Sequence, residues 1–158
     1  MKTVYLSLGS NVGDRETHLA RARERLAGDD TQVLRASAVY ETEPRDFPDQ
    51  AWFLNQVVEI ATQLFPKQLL ARVQKIERAL GRLPTRPKGP RTIDIDILLY
   101  GDTILSNPGL EIPHPRLPDR RFVLEPLAEL APDLRHPRTN ATVREMLAQV
   151  HNQRVQRI

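Results

Sequence analysis

The sequence predicts an α+β protein of the ferredoxin-like kind, on two observations. Strand-like and helix-like segments follow in the order strand, helix, strand, strand, helix, strand, and both helical segments carry one clear apolar stripe. Such an order folds as a four-stranded antiparallel sheet with helices packed on one face, here followed by short C-terminal helices.

Each element has its own warrant. Val4, Leu6 and Leu8 alternate with Tyr5 and Ser7, the period of a first strand. Gly9 to Gly13 reads as a loop, and Asp14 is placed to cap a helix through Leu26, with Leu19, Ala22 and Leu26 as its stripe and Gly28 as its end. Val33 to Tyr40 reads as the second strand, Glu43 to Gln50 as a loop, and Phe53 to Thr62 as the third strand. Pro66 suits a first helical turn; Leu69, Val73, Ile76 and Leu80 then recur at helical spacing before Gly81. Thr92 to Tyr100 reads as the fourth strand. Turns and a proline-rich stretch from Pro108 to Pro118 lead to short helices over Val123–Leu130 and Thr142–Val150.

The chain has 158 residues, with no repeat or linker to divide it, so residues 1–158 are expected to form one domain. Without cysteine, it can form no disulfide, thiolate metal site or catalytic thiol. No apolar run reaches the roughly 20 residues that span a bilayer, and no leader pattern opens the chain, so a cytoplasmic protein without a membrane partner is expected. Lysine stands only at Lys2, Lys67, Lys75 and Lys88, so arginine supplies most of the positive charge. Arginine grips phosphate bidentately, which leaves nucleotide and nucleic acid both open as partners.

The chemistry concentrates between Glu77 and Asp96. In a strand, Ile93, Ile95, Ile97 and Leu99 share one face, and Thr92, Asp94 and Asp96 share the other. The two aspartates are then roughly 7 Å apart along the strand. Like charges on one face repel, so the pair either ligates magnesium or sits solvated beside arginines; spacing alone leaves both readings open. The preceding loop tips the balance. Arg78, Arg82, Arg86, Lys88 and Arg91 follow Glu77 without an intervening acid, among Pro84, Pro87, Gly89 and Pro90. Cations entering a strand with two metal-competent acids fit phosphate transfer better than nucleic-acid binding, which aligned carboxylates would weaken. Gly9-Ser10-Asn11 lacks the lysine and glycine spacing of a P-loop.

The segment Gly89-Pro90-Arg91-Thr92-Ile93-Asp94-Ile95-Asp96 resembles the signature of the pterin pyrophosphokinases of folate synthesis. Leu8-Gly9-Ser10-Asn11, Tyr40-Glu41-Thr42, Phe53-Leu54-Asn55, and Pro113-His114-Pro115-Arg116 with Arg120 and Phe122 agree in order and near-register, so the resemblance spans essentially the whole chain. It implies a monomer that moves pyrophosphate from ATP to 6-hydroxymethyl-7,8-dihydropterin, with two magnesium ions and no nucleic-acid partner. Asp94 and Asp96 match the family's metal ligands, and Arg82 and Arg91 its catalytic arginines. Gln74, Glu77, Arg86, Arg91, Ile97, His114 and Arg120 match ATP-site positions; Thr42, Pro44, Phe53, Asn55 and Phe122 match pterin-site positions. One departure is notable. Many members carry Arg-Trp just before Gly-Pro-Arg, where this chain has Pro87-Lys88 and a loop about one residue shorter.

Overall fold

A computed structural model describes residues 1–43, 51–81, 92–151 and 153–158. Pro44, Arg82, Arg86 and Arg91 lie outside the described residues.

Nine residues of alternating side chains form β1 (Lys2–Ser10), an interior strand of the sheet. It pairs antiparallel with β4 (Phe53–Thr62) on one side and β5 (Asp94–Tyr100) on the other. The far edge of β4 is shared by two strands. β2 (Thr31–Ala36) pairs with its C-terminal half and β3 (Tyr40–Thr42) with its first residues, and β8 (Val155–Arg157) then pairs with β3. The sheet therefore has six strands, wider than the four expected.

The expected strand Val33–Tyr40 is broken at Ser37. Its N–H still donates to Val57 O (2.9 Å), but Val57 N donates to its hydroxyl (3.0 Å) and Gln56 Nε2 to its carbonyl (2.6 Å). Ala38 N donates to both oxygens of Glu129 (3.0 and 3.2 Å), and the Tyr40 hydroxyl to one of them (2.8 Å). Side chains thus satisfy main-chain groups that a continuous strand would have paired.

Helix α1 (Arg15–Leu26) starts where expected, with Asp14 accepting from Thr17 N at 3.2 Å. Helix α2 (Pro66–Ala79) ends ahead of Gly81, whose φ of 89° is the left-handed conformation that favours glycine. Leu19, Ala22, Leu26, Leu69, Val73 and Ile76 of these helices pack on Val4, Leu6, Leu8, Val58, Ile60, Ile93, Ile95 and Ile97.

The helices are not confined to that face. A 3₁₀ turn (Leu117–Asp119), α3 (Arg121–Leu130) and α4 (Val143–Ala148) bury Leu117, Val123, Leu124, Leu127, Val143 and Met146 with Tyr5, Val57, Leu98 and Leu99 on the other face. Leu99 is a second correction. Leu6 pairs with Ile97 and Tyr5 with Leu99, so Leu98 is an extra, bulged residue that moves Leu99 to the α3 side and Tyr100 to the α2 side. The turns and the proline-rich stretch after β5 together form a hairpin, β6 (Leu105–Asn107) and β7 (Leu110–Ile112), turning at Gly109, followed by a cis Ile112–Pro113 bond.

Candidate active site

The site is built on the α3 face of the sheet, toward the end where β5 and β4 begin and β1 finishes. Ile93, Ile95 and Ile97 are buried beneath α1 and α2, so alternation turns Asp94 and Asp96 to the opposite face. A buried carboxylate supports this register from below. Glu77 of α2, only 6% exposed, accepts from Ile95 N at 2.8 Å. The Thr92 hydroxyl, at the entrance to β5, is buried without a hydrogen-bond partner among the described residues.

Across the sheet, Asp94 pairs with Gly9, and Gly9 pairs with Asn55. A Cβ on Gly9 would stand 3.1 Å from Asn55 Oδ1 and 3.9 Å from Phe53 Cδ1. The missing side chain therefore keeps a flat strip between the acids and the Asn55–Phe53 side. Asn55 Nδ2 donates to Thr42 Oγ1 at 2.7 Å, and both residues are buried. The amide oxygen is turned toward Gly9.

The segment after β7 supplies the basic groups. His114 N donates to Leu98 O (2.9 Å), tying the segment to β5, and Arg116 N donates to His114 Nδ1 (3.1 Å). With Nδ1 as acceptor, Nε2 carries the ring proton, and it lies 4.0 Å from Asp96 Oδ2. Burial pushes the His114 pKa down to about 4, helped by the charges of Arg120 and Arg116 and opposed by Asp94. The ring is thus a neutral donor near pH 7. Arg120 Nη1 approaches Asp96 Oδ2 to 3.8 Å, and its guanidinium lies over the Phe122 ring, 5.5 Å from the centroid.

Asp94, Asp96, His114, Arg120, Asn55, Thr42 and Phe53 are thus gathered at one end of one face, with Phe122 beside Arg120. Gln74 is exposed on α2, Glu77 is engaged with Ile95, and Ile97 is buried on the opposite face. The carboxylate face does not collect these three side chains. Gly9 and the Thr92 hydroxyl are what residue patterns gave no role. In the sequence Gly9 stands out only as part of Leu8-Gly9-Ser10-Asn11, a stretch that matches the family pattern and sits directly after an alternating run.

No group of three or more His, Asp or Glu converges on one point among the described residues. Two carboxylate-bearing residues on one strand face suit a hard cation that keeps water and phosphate oxygens as its other ligands, as magnesium does. The donor set and the neighbouring neutral histidine and arginine define a centre able to handle phosphate groups.

The family model for 7,8-dihydro-6-hydroxymethylpterin-pyrophosphokinase (HPPK) matches residues 5–132. The 2-amino-4-hydroxy-6-hydroxymethyldihydropteridine pyrophosphokinase of Methylorubrum extorquens is 46% identical over 159 residues, covering 100% of this chain and 99% of that protein. The folic acid synthesis protein fol1 of Pneumocystis carinii is 44% identical over 142 residues, covering 90% of this chain but only 19% of its own length. Among solved structures, the Plasmodium falciparum HPPK-DHPS wild type with SDX-DHP matches with a TM-score of 0.71 at 17% identity, over 94% of this chain and 43% of that one, a likeness of fold. The chain belongs to the 7,8-dihydro-6-hydroxymethylpterin-pyrophosphokinase family.

Proposed function

We propose that this chain transfers the terminal pyrophosphate of ATP to the hydroxymethyl group of 6-hydroxymethyl-7,8-dihydropterin, giving AMP and the pterin-methyl diphosphate. The observation that carries the reading is the strip Asp94–Gly9–Asn55 across three paired strands, in a chain of this family. It brings two acids that could hold a metal alongside the polar Asn55 and the Phe53 ring on one face. Within the sheet, β5, β1, β4 and β2 with α1 and α2 would be the ferredoxin-like unit, to which β3, β8 and the C-terminal helices are added.

Asp94 and Asp96 would hold magnesium, two ions being expected with ATP bound. Magnesium, when present, would neutralise charge on the phosphate oxygens and orient them. His114 offers Nε2–H to a phosphate oxygen without a charge of its own, and Arg120 brings a fixed positive charge beside it. Arg82 and Arg91 are assigned as catalytic cations and Arg86 as a further ATP contact, by the family pattern. Gln74, Glu77 and Ile97 rest on that pattern too. For the pterin, Asn55 and Thr42 present polar edges, Phe53 and Phe122 aromatic faces, and Pro44 completes the set by pattern.

In the reaction, the hydroxymethyl oxygen forms a bond to the β-phosphorus, the bond from that phosphorus to the α-phosphate oxygen breaks, and AMP leaves. The hydroxyl proton goes to solvent or to a phosphate oxygen. Positioning and charge neutralisation supply most of the acceleration. Action as a cytoplasmic monomer of one domain, without nucleic-acid or membrane partner, belongs to the same proposal. No described helix is long and apolar enough to cross a membrane.

The test is ³¹P NMR of ATP, magnesium and the pterin alcohol with the purified protein and with its Asp94→Ala, Asp96→Ala double variant. AMP formed only when the pterin is present, and lost in the variant, supports the reading. ADP formation overturns it.

A further inference from the structure

Arg15 opens α1, on the side of the sheet opposite the site, yet it touches both strand ends that carry the pterin-facing side chains. Its Nη1 donates to Glu41 Oε2 (3.0 Å) and to Trp52 O (2.7 Å). Glu41 precedes Thr42 on β3, and Trp52 precedes Phe53 on β4. One residue earlier, Asn11 Nδ2 donates to Ala51 O at 3.3 Å. The Arg15–Glu41 pair is about two-thirds buried on both sides, at 29% and 32% side-chain exposure, so it holds a defined geometry better than a solvated pair.

β3 has only three residues, and three rungs against β4 hold it weakly on that side. Thr42 and Phe53 are its last rung. Beyond that rung the described chain has no further ladder, so the clamp from Arg15 takes over where strand pairing stops. Alternation sends Thr42 to the site face while Glu41 turns to the α1 side, where Arg15 can reach it.

We infer that Arg15 is a positioning residue for the pterin half of the site, holding the ends of β3 and β4 so that Thr42, Phe53 and Asn55 keep the spacing a flat ring requires. The inference rests on the functional reading above. It makes the Arg15 contribution one-sided. Asp94, Asp96, His114 and Arg120 sit on β5 and the segment after β7, which Arg15 does not touch.

The experiment is calorimetric binding to the full chain and its Arg15→Ala, Arg15→Lys and Glu41→Gln variants. An α,β-methylene ATP analogue with magnesium is titrated first, then 6-hydroxymethyl-7,8-dihydropterin into that complex. Expected is about tenfold weaker pterin binding in Arg15→Ala with analogue affinity within twofold of the unaltered chain. Arg15→Lys recovers part of the loss, because an ammonium can serve Glu41 but not both acceptors in the same fork. Glu41→Gln loses less than Arg15→Ala, as the Trp52 contact survives. Equal weakening of both ligands, or unchanged pterin binding, overturns the inference while the functional reading stands. Failure of the unaltered chain to bind the pterin overturns both.

Discussion

Asp94 on β5 and Asn55 on β4 pair with the same residue, Gly9 of β1, so the proposed metal-binding and pterin-binding sides are separated by one strand position without a side chain. Two strand spacings put them roughly 10 Å apart. Such a gap suits a flat ring whose reacting arm reaches toward the phosphates.

Gly9→Ala therefore disturbs binding more than folding. The new Cβ would press at 3.1 Å on an Asn55 amide that is already tied to Thr42 and buried, so the amide cannot retreat freely. The expected result is pterin KM raised about fivefold to tenfold, with ATP KM nearly unchanged and Tm lowered by a few degrees. Steady-state kinetics with a thermal melt decide it.

Asp94→Asn and Asp96→Asn separate chemistry from stability. Each removes one of two like charges on a face, and at Asp96 the lost attraction to Arg120, 3.8 Å away, offsets that relief, so the folded state should tolerate either change. Activity should fall by about a thousandfold or more, because an amide is a poor magnesium ligand. A matched pair of melting curves and AMP-release rates checks both halves.

Glu77→Ala acts through the main chain. It leaves the Ile95 N–H buried without its acceptor, at a cost of about 1–3 kcal/mol, between the two aspartates. Glu77→Gln keeps an acceptor and should lose less. Urea unfolding measures the stability, and the kcat of each variant shows how far the aspartates depend on that amide.

The Tyr5–Glu59–Arg35 cluster predicts an alkaline stability limit. Burial first, then the bond to Glu59, raises the Tyr5 pKa from 10.0 to about 12, and burial with Glu129 raises Tyr40 similarly. A raised pKa means the neutral phenol is preferred in the folded state, so this stabilisation is complete below pH 10 and drains away as pH climbs toward 12. Glu59 has the opposite sign. Arg35 and Tyr5 hold its pKa low against burial, so its contribution is present above the ordinary carboxylate range and lost in acid. Tyr5→Phe should lower stability at pH 7 by about 1 kcal/mol and flatten the fall between pH 10 and 12. Denaturant unfolding across pH 7–12 reads both effects.

Much of this was legible in local pattern. The third strand, Phe53–Thr62, and the helix opening at Pro66 follow from alternation and apolar spacing, and the outward turn of Asp94 and Asp96 follows from the isoleucines between them. What sequence hid depends on distant partners. The break after Ala36 needs Glu129, 91 positions beyond Ala38. Leu99 changes face because Leu98 bulges against β1, a matter of pairing register that no run of apolar residues reveals. The short β8 strand exists only because β3 offers an edge, and its three residues carry little pattern of their own. Helices on the second face were missed as sheet cover because Val57, Leu98 and Leu99 complete the apolar patch only after folding.

The most direct test of the central claim follows the atoms transferred. ATP labelled at the β-phosphorus and ATP labelled at the γ-phosphorus are supplied separately with magnesium and 6-hydroxymethyl-7,8-dihydropterin, and label on the pterin product is counted. Pyrophosphate transfer predicts equal label on the pterin from both positions, with unlabelled AMP released. Label from the γ-position alone, with the β-label left on ADP, would contradict it.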